Sequence, residues 1–462
     1  MAVLYGQRPG LLSWAGSETL QLYINLRYGS QVKPISFTAG PSSLGGFELL
    51  TKSTDDTNPA DLSAIKLFLP SIRMGYGHHR IARSIMTWAE SKNPALIDLI
   101  SLDSPQSGMI KDLEGLYSLF TRLSASIGGP MQMLLNAVLL RGNIDTLAAS
   151  IAIAKHYSVL FSSLPKHIPC MASYPFAAQI AVAAGFEKVL NLIPDNHPQY
   201  YLLTPGSCNI VQTESAKQKF IKMGVSENEI ESVGHFVPHD LAIHIEGDSQ
   251  TRIDRRMRNA PLRCLLSLGG MGVQAGFFRR LIEKLLPMVN QGKLLLFINT
   301  GEHASFAASI LSLLESTKVP FTEVDSAKGL DQFTKWHSID SDEPSHSVTV
   351  FRFADYGLSL KASDELVRCA DVLVSRPSQI SYFPVPKVLL RRLADHESEN
   401  SEYLVNLDET DPECNRPESA VITIERLIDD SSILIRRNEA IIKRASTGLY
   451  NGAKRALEIA EL

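Results

Sequence analysis

The amino-acid sequence predicts an α/β protein in which two doubly wound parallel-sheet domains face a common cleft. The chain has 462 residues, too many for a single hydrophobic core, so two domains are expected. Short apolar runs alternate with amphipathic helical stretches, a pattern typical of parallel sheets covered by helices. A glycine-rich turn also follows an apolar run in each half, at 75–77 and at 269–272. These repeated units indicate two similar halves, each with a helix that begins at the cleft.

The composition is that of an ordinary globular protein. Hydrophobic residues make up 44%, charged residues 20%, and the net charge is −4, which gives no reason to expect nucleic-acid binding. The five cysteines are scattered without C-x-x-C spacing, which favours reduced thiols over disulfides or a zinc site. Neither a signal peptide nor an apolar run of about 18 residues is found. We therefore expect a cytoplasmic protein, with peripheral contact to a membrane left open.

The polarity of successive segments predicts the domain organisation. The first segment is rich in Gly, Ser, Thr and Pro and is expected to be an extension of uncertain order. A last helix is expected to cross back onto the first domain. The expected units are the extension at 1–62, a first domain at 63–248, a charged linker at Glu246–Asn259, a second domain at 260–430 and a C-terminal helical segment at 431–462, broken near Gly448 and Gly452.

Apolar runs and helical periodicity predict the individual elements. In the first half, strands are expected at Ile65–Leu69, Ala95–Ile100, Val189–Ile193, Cys208–Gln212 and Ser232–Val237, with helices at Arg80–Glu90 and Ser215–Met223. In the second half, strands are expected at Cys264–Leu268, Leu294–Asn299, Ser347–Phe351, Asp371–Ser375 and Lys387–Leu390, with a helix at Gly276–Val289.

A histidine follows the first glycine turn. Gly75 and Gly77 let the backbone approach a ligand, and His78 stands at the start of the next helix, over the carboxyl edge of the sheet. With a pKa near ~6.5, this histidine can accept a proton at neutral pH. The alternative is a tight turn in which the histidine only caps the helix.

A second polar cluster follows the strand at Val189–Ile193. Asp195 and His197 are candidates for positioning an acceptor hydroxyl, or they form a plain Asx/Pro turn. The same ambiguity applies to His235 and His239. No regular ligand spacing connects these histidines, so no metal site is predicted.

The second glycine turn, with Gly269, Gly270 and Gly272, again lies between a strand and a helix. Its spacing is neither G-x-G-x-x-G nor that of a P-loop. A diphosphate resting on the turn is chemically sensible. The polar run Asp395–Asn400 is a candidate for binding sugar hydroxyls, or it is an acidic surface loop.

Taken in order, these pieces resemble the glycosyltransferase family that contains monogalactosyldiacylglycerol synthase and the peptidoglycan N-acetylglucosaminyltransferase. The resemblance covers roughly residues 65–430 and implies a GT-B fold of two Rossmann-like domains, the first binding the acceptor and the second the donor. The pieces that carry it are Gly75-Tyr-Gly-His78, similar to a G-G-G-H loop; Ile193–Pro198 with Tyr200; Ser215–Gly224; Glu231–Pro238; Leu268–Gly272; Ala370–Ser378, similar to A-D-x-x-x-x-K-P-G-G; and Asp395–Asn400, similar to P-G-Q-E-x-x-N.

The resemblance implies inverting transfer of a sugar from a nucleotide-diphosphate sugar, with a UDP-sugar as the favoured donor and no further cofactor. His78 would be the base, and Asp195 and His197 are the other catalytic candidates. The glycines at 269, 270 and 272 would hold the diphosphate, and Phe353 would lie beside the nucleotide base. Glu397 and Asn400 would read the donor sugar. Together with Phe353, the expected donor-binding residues are Gly75, Gly77, Gly269, Gly270, Gly272, Arg376, Ser378, Gln379, Glu397 and Asn400.

The sequence departs from the family where the ribose is bound. The family has a glutamate on the short helix after its K-P-G-G loop, whereas Ile380–Pro386 contains no carboxylate and two prolines that disfavour a helix. Ser378 and Gln379 replace the two glycines. These departures leave open a different nucleotide, a different binding mode or the loss of catalysis.

The acceptor side is predicted only in outline. The stretch Gly115–Gly142 is apolar with two arginines, so it is either a core element or a helix at a membrane surface that admits a lipid acceptor. Two alternatives to a transferase remain: a non-catalytic GT-B relative that binds a nucleotide or glycan, and a nucleotide-sugar epimerase of the same architecture.

Overall fold

The structure is a computed structural model of the chain. Three expectations concern residues outside the described ones: the stretch Gly115–Gly142, Gly270, and the first two residues of the run Asp395–Asn400. The described residues are 3–9, 34–42, 44, 47–53, 61–102, 143–269, 272, 274–338, 347–393 and 397–461.

The first lobe is built on a sheet that has eight strands within the described residues, in the order β1-β2-β4-β3-β5-β6-β7-β8. β1 and β2 pair antiparallel, and the other neighbours pair parallel. The strands are β1 (Phe37–Pro41), β2 (Glu48–Lys52), β3 (Leu67–Ser71), β4 (Pro94–Asp98), β5 (Cys170–Ala172), β6 (Val189–Leu192), β7 (Cys208–Val211) and β8 (Ile230–Ser232). Their helices are α1 (Gly77–Trp88), α2 (Ile144–Tyr157), α3 (Pro175–Ala183) and α4 (Glu214–Lys222).

The second lobe is built on a parallel sheet with the order β11-β12-β10-β9-β13-β14 in the described part of the chain. Its strands are β9 (Leu262–Ser267), β10 (Leu294–Asn299), β11 (Phe321–Val324), β12 (Val348–Phe351), β13 (Val372–Ser375) and β14 (Lys387–Leu389). The helices from the end of the first sheet onward are α5 (His239–Ile243), α6 (Ile245–Met257), α7 (Ala275–Asn290), α8 (Ala304–Ser316), α9 (Ala327–Ser338), α10 (Tyr356–Cys369), α11 (Glu397–Asn406), α12 (Pro417–Asp429), α13 (Ser431–Ser446) and α14 (Gly452–Glu461).

Both faces of each sheet are covered, as the unbroken apolar runs of the strands require. On β3, Phe68 packs with α2 and α3, whereas Leu67 and Leu69 pack with α1 and α14 on the other face. On β9, Leu266 packs with α7 while Leu265 packs with α10. Two doubly wound parallel-sheet lobes confirm the predicted fold class.

Most predicted elements are present within a few residues of their expected bounds. β10 lies where it was predicted, and the helix α4 and its C-cap Met223 are followed by Gly224, whose φ of +102° fits a C′ glycine. The C-terminal segment is broken between α13 and α14, as predicted. Ala453 and Leu457 of α14 pack with Ile81 of α1, so the last helix does cross back onto the first lobe.

The expectation for residues 1–62 was incomplete, because β1 and β2 are part of the first sheet. They form an antiparallel hairpin, and Leu49 of β2 pairs with Leu96 of β4. Phe37 and Leu50 are buried in the core. The short strands carry few apolar residues, so sequence periodicity did not reveal them.

The prediction of a strand at Ser232–Val237 was wrong, because β8 ends at Ser232. The residues after it are buried, but their backbone binds the turn between α13 and α14. His235 N–H donates to Leu449 O at 2.6 Å, and Gly452 N–H donates to His235 O at 3.0 Å. An apolar run indicates that residues are buried but not that they form a strand. Here the turn between α13 and α14 takes the backbone bonds that a neighbouring strand would make.

The charged segment predicted as the linker, Glu246–Asn259, is largely the helix α6. Its arginines are buried and paired: Arg252 Nε donates to Ala370 O at 2.7 Å, and Arg255 lies 3.2 Å from Asp371. Charge alone suggested a solvated connection, but buried guanidinium groups that bind carbonyls and carboxylates are compatible with a packed helix.

Candidate functional site

Each sheet has a switch point at which the chain changes direction across the sheet. In the first lobe, β4 lies on one side of β3 and β5 on the other, and in the second lobe β10 and β13 flank β9 in the same way. Ligands of open α/β sheets bind at the carboxyl ends of strands beside such switch points. The loops after β3 and β5, and those after β9 and β13, are therefore the places to look for a site. We call them the first edge and the second edge.

The first edge contains His78, on the first turn of α1. Its Nδ1–H donates to Ser173 O, in the loop after β5, at 2.6 Å, and its ring meets the ring of Tyr174 edge-on at 5.1 Å. Ser173 Oγ–H donates in turn to Ser71 Oγ at 2.7 Å, which links the ends of β5 and β3. These contacts fix both the ring orientation and the tautomer of His78, with Nε2 left as a proton acceptor.

The pKa of His78 is lowered from its ordinary value. Burial is the largest cause, while the bond to Ser173 and the charge of Asp195 act in the opposite direction. The imidazole is therefore neutral at pH 7, as a general base must be.

The neighbouring His79 is a structural residue. It is 3% exposed, neither ring nitrogen has a hydrogen-bond partner among the described residues, and burial lowers its pKa to about 3. Its ring packs edge-on against Tyr356 at 5.5 Å.

The helix α1 is fixed to the second lobe by buried charges. Arg80 Nε lies 3.4 Å from the Asp364 carboxylate on α10, and Arg83 donates to the other oxygen of the same carboxylate. At the first glycine turn, Tyr356 O–H donates to Gly75 O at 3.1 Å. Gly75 has a φ of +66°, which favours glycine. The first edge is thus held against the second lobe.

Gly77 lies against Gln379 of the second lobe, since a Cβ added to this glycine would be 3.7 Å from Gln379 Cγ. The Gln379 side chain is buried and donates to Pro194 O, and Gln212 Nε2 donates to Gln379 Oε1 at 3.2 Å. The glycosyltransferases that the sequence resembles have a glycine at position 379. Here the Gln379 side chain takes its place and binds the first lobe.

The cluster after β6 binds the helix α11 across the lobes. Asn400 Oδ1 accepts from Asn196 N–H at 3.2 Å, and Asn400 Nδ2 donates to Asp195 Oδ1 at 3.4 Å. His197 Nδ1 is 2.9 Å from Glu399 Oε1, and Lys219 binds the second oxygen of that carboxylate. We call these contacts, with those of Gln379, the polar contact between the lobes.

Several residues of this contact were not identified from the sequence. Asn196 and Glu399 lie within the predicted segments Ile193–Pro198 and Asp395–Asn400 but were not singled out there. No role was predicted for Lys219 or Tyr382, and Asn196 Nδ2 donates to the Tyr382 hydroxyl oxygen at 2.9 Å. Only proximity across the lobes reveals their role.

The second edge contains the glycine turn after β9. Gly269 and Gly272 have φ values of +81° and +62°, conformations that favour glycine. His303, after β10, lies with Nε2 3.0 Å from Gly269 O, and a Cβ on Gly272 would be 3.0 Å from its ring. No motif in the sequence marked His303 as a site residue.

Arg376 directly follows β13, and its Nη1 donates to Glu397 Oε1 at 3.1 Å. The second oxygen of Glu397 accepts from Leu393 N–H at 2.7 Å. The Ser378 N–H donates to Arg376 O at 2.8 Å, closing a tight turn. Phe353 is 3% exposed and packs in the apolar core under α10, with its N–H donating to Gly301 O.

The structure thus brings a neutral proton acceptor to one edge and a glycine turn with a cation to the other. Such a pair of edges suits a reaction in which a hydroxyl loses a proton while an anionic group departs. No helix in the described part of the chain has the length and apolar character that a membrane span requires.

Comparison with solved structures finds proteins that align over most of both chains at low identity. The UDP-GlcNAc 2-epimerase of Neisseria meningitidis, bound to UDP-GlcNAc, is 12% identical, covers 86% of this chain and 99% of its own, and has a TM-score of 0.46. MurG of Acinetobacter baumannii is 11% identical with the same coverage and a TM-score of 0.40. Anabaena Alr3699/HepE, in complex with UDP and glucose, is 11% identical, again with 86% and 99% coverage, and has a TM-score of 0.42.

Sequence comparisons divide the chain close to the junction of its two sheets. Comparison with curated proteins returns no match. Residues 42–222 match the family described as Domain of unknown function (DUF6937). Residues 225–461, more than half of the chain, match the family described as Domain of unknown function (DUF6938). The chain therefore belongs to the family of the domain of unknown function DUF6938.

Proposed function

We propose that this protein is a glycosyltransferase that moves a sugar from a nucleotide-diphosphate sugar to a hydroxyl acceptor with inversion. A UDP-sugar is the favoured donor, as the sequence resemblance implies, and it acts as a substrate without any further cofactor. The observation that carries the proposal is His78: a neutral histidine at the carboxyl edge of the first sheet, oriented by Ser173, with Nε2 as the proton acceptor.

In the proposed reaction, His78 Nε2 accepts the proton of the acceptor hydroxyl while the hydroxyl oxygen attacks the anomeric carbon. The bond between that carbon and the β-phosphate oxygen breaks, and its electron pair leaves with the nucleoside diphosphate. Attack from the face opposite the leaving group inverts the anomeric centre. Proton removal thus belongs to the first edge, and stabilisation of the leaving diphosphate belongs to the second.

The acceptor would bind on the first lobe, beside His78. Asp195 and His197 lie on the first lobe close to the edge, and their contacts with α11 hold the loop that would line an acceptor site. A lipid acceptor at a membrane surface depends on the stretch Gly115–Gly142, which lies outside the described residues and stays a prediction.

The test is an assay for nucleoside diphosphate released from a panel of nucleotide sugars, with and without candidate hydroxyl acceptors. We expect turnover that falls about 10²- to 10⁴-fold in His78→Ala, the usual contribution of a general base, with nucleotide binding unchanged. His244→Ala is the matched control, since the ring of this exposed histidine donates to the Asp240 carbonyl on the preceding helix α5, on the surface of the molecule. Full turnover in His78→Ala would exclude the proposed mechanism.

A second candidate is a non-catalytic relative that binds a nucleotide or glycan. It is favoured by the polar contact, in which Gln379 and Asn400 already bind residues of the first lobe. Binding of a nucleotide without release of diphosphate from any sugar donor would select this role. An epimerase, the third possibility, would instead convert the nucleotide sugar into an isomer without an acceptor.

A further inference from the structure

Glu397 cannot act at the second edge as the sequence resemblance implies. The residue is 6% exposed, and each of its carboxylate oxygens is already bound: one by Arg376 Nη1 at 3.1 Å, the other by Leu393 N–H at 2.7 Å. A carboxylate that reads a sugar must present an oxygen to the sugar hydroxyls. This carboxylate instead presents both oxygens to the protein.

What Glu397 does is orient Arg376. A guanidinium group has five N–H donors in a planar fork, and a carboxylate on one nitrogen fixes the plane of the fork. Glu397 holds Nη1, and Glu397 is the one ion-pair partner of Arg376 in the described residues. The Arg376 side chain keeps 15% exposure, more than the 8% of its partner. Among the described residues, no side chain or carbonyl binds Nε or Nη2, so these nitrogens can bind a second anion.

The position of Arg376 points to the class of that anion. β13 and β9 are neighbours, with Val374 paired to Leu266, so the loops that follow them emerge side by side at the switch point. One loop carries Arg376, and the other carries the turn with Gly269 and Gly272, followed by the first turn of α7. A guanidinium fork next to a glycine turn and a helix N-terminus is a combination that suits phosphate oxygens.

We propose that Arg376 binds the diphosphate of the nucleotide through the free side of its guanidinium fork, and that Glu397 is the residue that positions it. This inference rests on the proposed function for the identity of the substrate. It replaces the sugar-reading role of Glu397 with a positioning role, and it gives the donor side a cation of its own despite the missing ribose carboxylate.

The test measures binding of uridine, inorganic pyrophosphate and UDP to the full chain by titration calorimetry. Arg376→Ala should weaken pyrophosphate and UDP about 10- to 100-fold, the usual effect of losing a charge-assisted hydrogen bond, and leave uridine unchanged. Arg376→Lys, which keeps the charge but loses the fork, should be intermediate. Arg392→Ala is the matched control, because the side chain of this arginine, three residues after β14, is 41% exposed and pairs with Glu413 at 3.2 Å.

Variants of Glu397 separate positioning from simple charge neutralisation. Glu397→Gln keeps one oxygen as an acceptor and replaces the other with an NH2 donor, so it retains only one of the two bonds that the carboxylate makes. It should bind pyrophosphate more weakly than the wild type but more tightly than Glu397→Ala. If Glu397 only neutralised Arg376, both variants would bind pyrophosphate as tightly as the wild type or more tightly. Thermal unfolding of each variant shows whether the chain is folded. If Arg376→Ala is not folded, the binding measurements on Arg376→Lys provide the test.

The outcomes distinguish this inference from the proposed function. Arg376-dependent binding of pyrophosphate without turnover of any nucleotide sugar supports the inference and removes the transferase. Turnover with equal UDP affinity in the wild type and Arg376→Ala supports the transferase and overturns the inference. A wild type that binds neither pyrophosphate nor UDP also overturns it.

Discussion

The first edge and the second edge are built by the same topology but carry opposite chemistry. In each lobe, one strand lies between two strands that follow it in the chain: β3 between β4 and β5, and β9 between β10 and β13. A loop at this switch point leads into a helix. At the first edge burial holds His78 neutral, whereas at the second edge Glu397 holds Arg376, a permanent cation, in place. The topology therefore decides where a site can be, and the side chains on its loops decide what the site can do.

The two edges also differ in how they are fixed. The first edge is anchored by a buried carboxylate, Asp364, which is fully enclosed and binds Arg80 and Arg83. Within the polar contact between the lobes, the two ion pairs that Glu399 forms, with His197 and with Lys219, are partly exposed. Because Asp364 is buried, its pairs with Arg80 and Arg83 are a permanent part of the fold. Water or a ligand can compete for the partly exposed pairs of Glu399.

The largest effect is expected when the anchor of the first edge is removed. Asp364→Ala leaves two buried guanidinium groups without their carboxylate, and it should lower the free energy of unfolding by about 3 to 5 kcal/mol. Denaturant titration measures this loss. Asp331→Ala is the control, since that exposed aspartate lies 3.9 Å from Lys361 and should change stability by less than about 1 kcal/mol. Equal effects of the two changes would contradict the distinction drawn here.

The glycine turn of the second edge should be sensitive to a single methyl group. Gly272→Ala must adopt a φ of +62° and brings a Cβ to 3.0 Å from the His303 ring, so we expect a loss of about 1 to 2 kcal/mol in unfolding free energy. Gly276→Ala is the matched change on the next helix, where no atom lies within 4 Å of the added Cβ. It should be neutral or slightly stabilising, as Ala is favoured in helices.

The pH dependence of turnover tests the neutral histidine of the first edge. A base must be unprotonated, and a lowered pKa keeps His78 unprotonated below the ordinary value, so the acidic limb of kcat/KM should lie below about pH 6.5. Asp195 raises this pKa, so Asp195→Asn should move the limb to still lower pH. A limb at or above pH 6.5 in the wild type, or an upward shift in the variant, would argue against His78 as the base.

The smallest effect is expected at the polar contact. Glu399→Gln removes the charge shared by His197 and Lys219, and because these groups are partly exposed, the unfolding free energy should change by less than about 1 kcal/mol. Hydrogen exchange of the backbone at 194–197 should nevertheless become faster than in the wild type. Glu402→Gln, an exposed position on the same helix, is the control and should leave exchange unchanged. Slower exchange in Glu399→Gln would contradict the assigned contact.

Local pattern was sufficient for the elements that pack within one lobe. β10 is an unbroken apolar run in the middle of a parallel sheet, and its bounds follow from sequence alone. The same reasoning failed at 233–237, because the partner that buries those residues is a turn more than 200 positions later in the chain. It also failed at α6, because the carboxylate and carbonyls that pair its arginines come from a distant segment.

The candidate site divides in the same way. His78 and the glycines of both turns could be found from the sequence, because a strand, a glycine turn and a helix are neighbours in the chain. Glu399, His303 and the anchoring Asp364 could not, since each acquires its role through a residue of another segment. The sugar-reading role of Glu397 was implied by the resemblance alone, and a resemblance of motifs carries no information on which groups already bind the carboxylate oxygens.

The sequence by itself determined the two-lobed α/β class and the two strand-turn-helix units, since apolar periodicity and glycine conformations are local properties of the chain. Only the tertiary structure decided how the two edges meet and which polar side chains are already bound. Burial and hydrogen bonding between distant segments set the pKa of His78 and the orientation of Arg376, and neither quantity exists until the lobes have packed together.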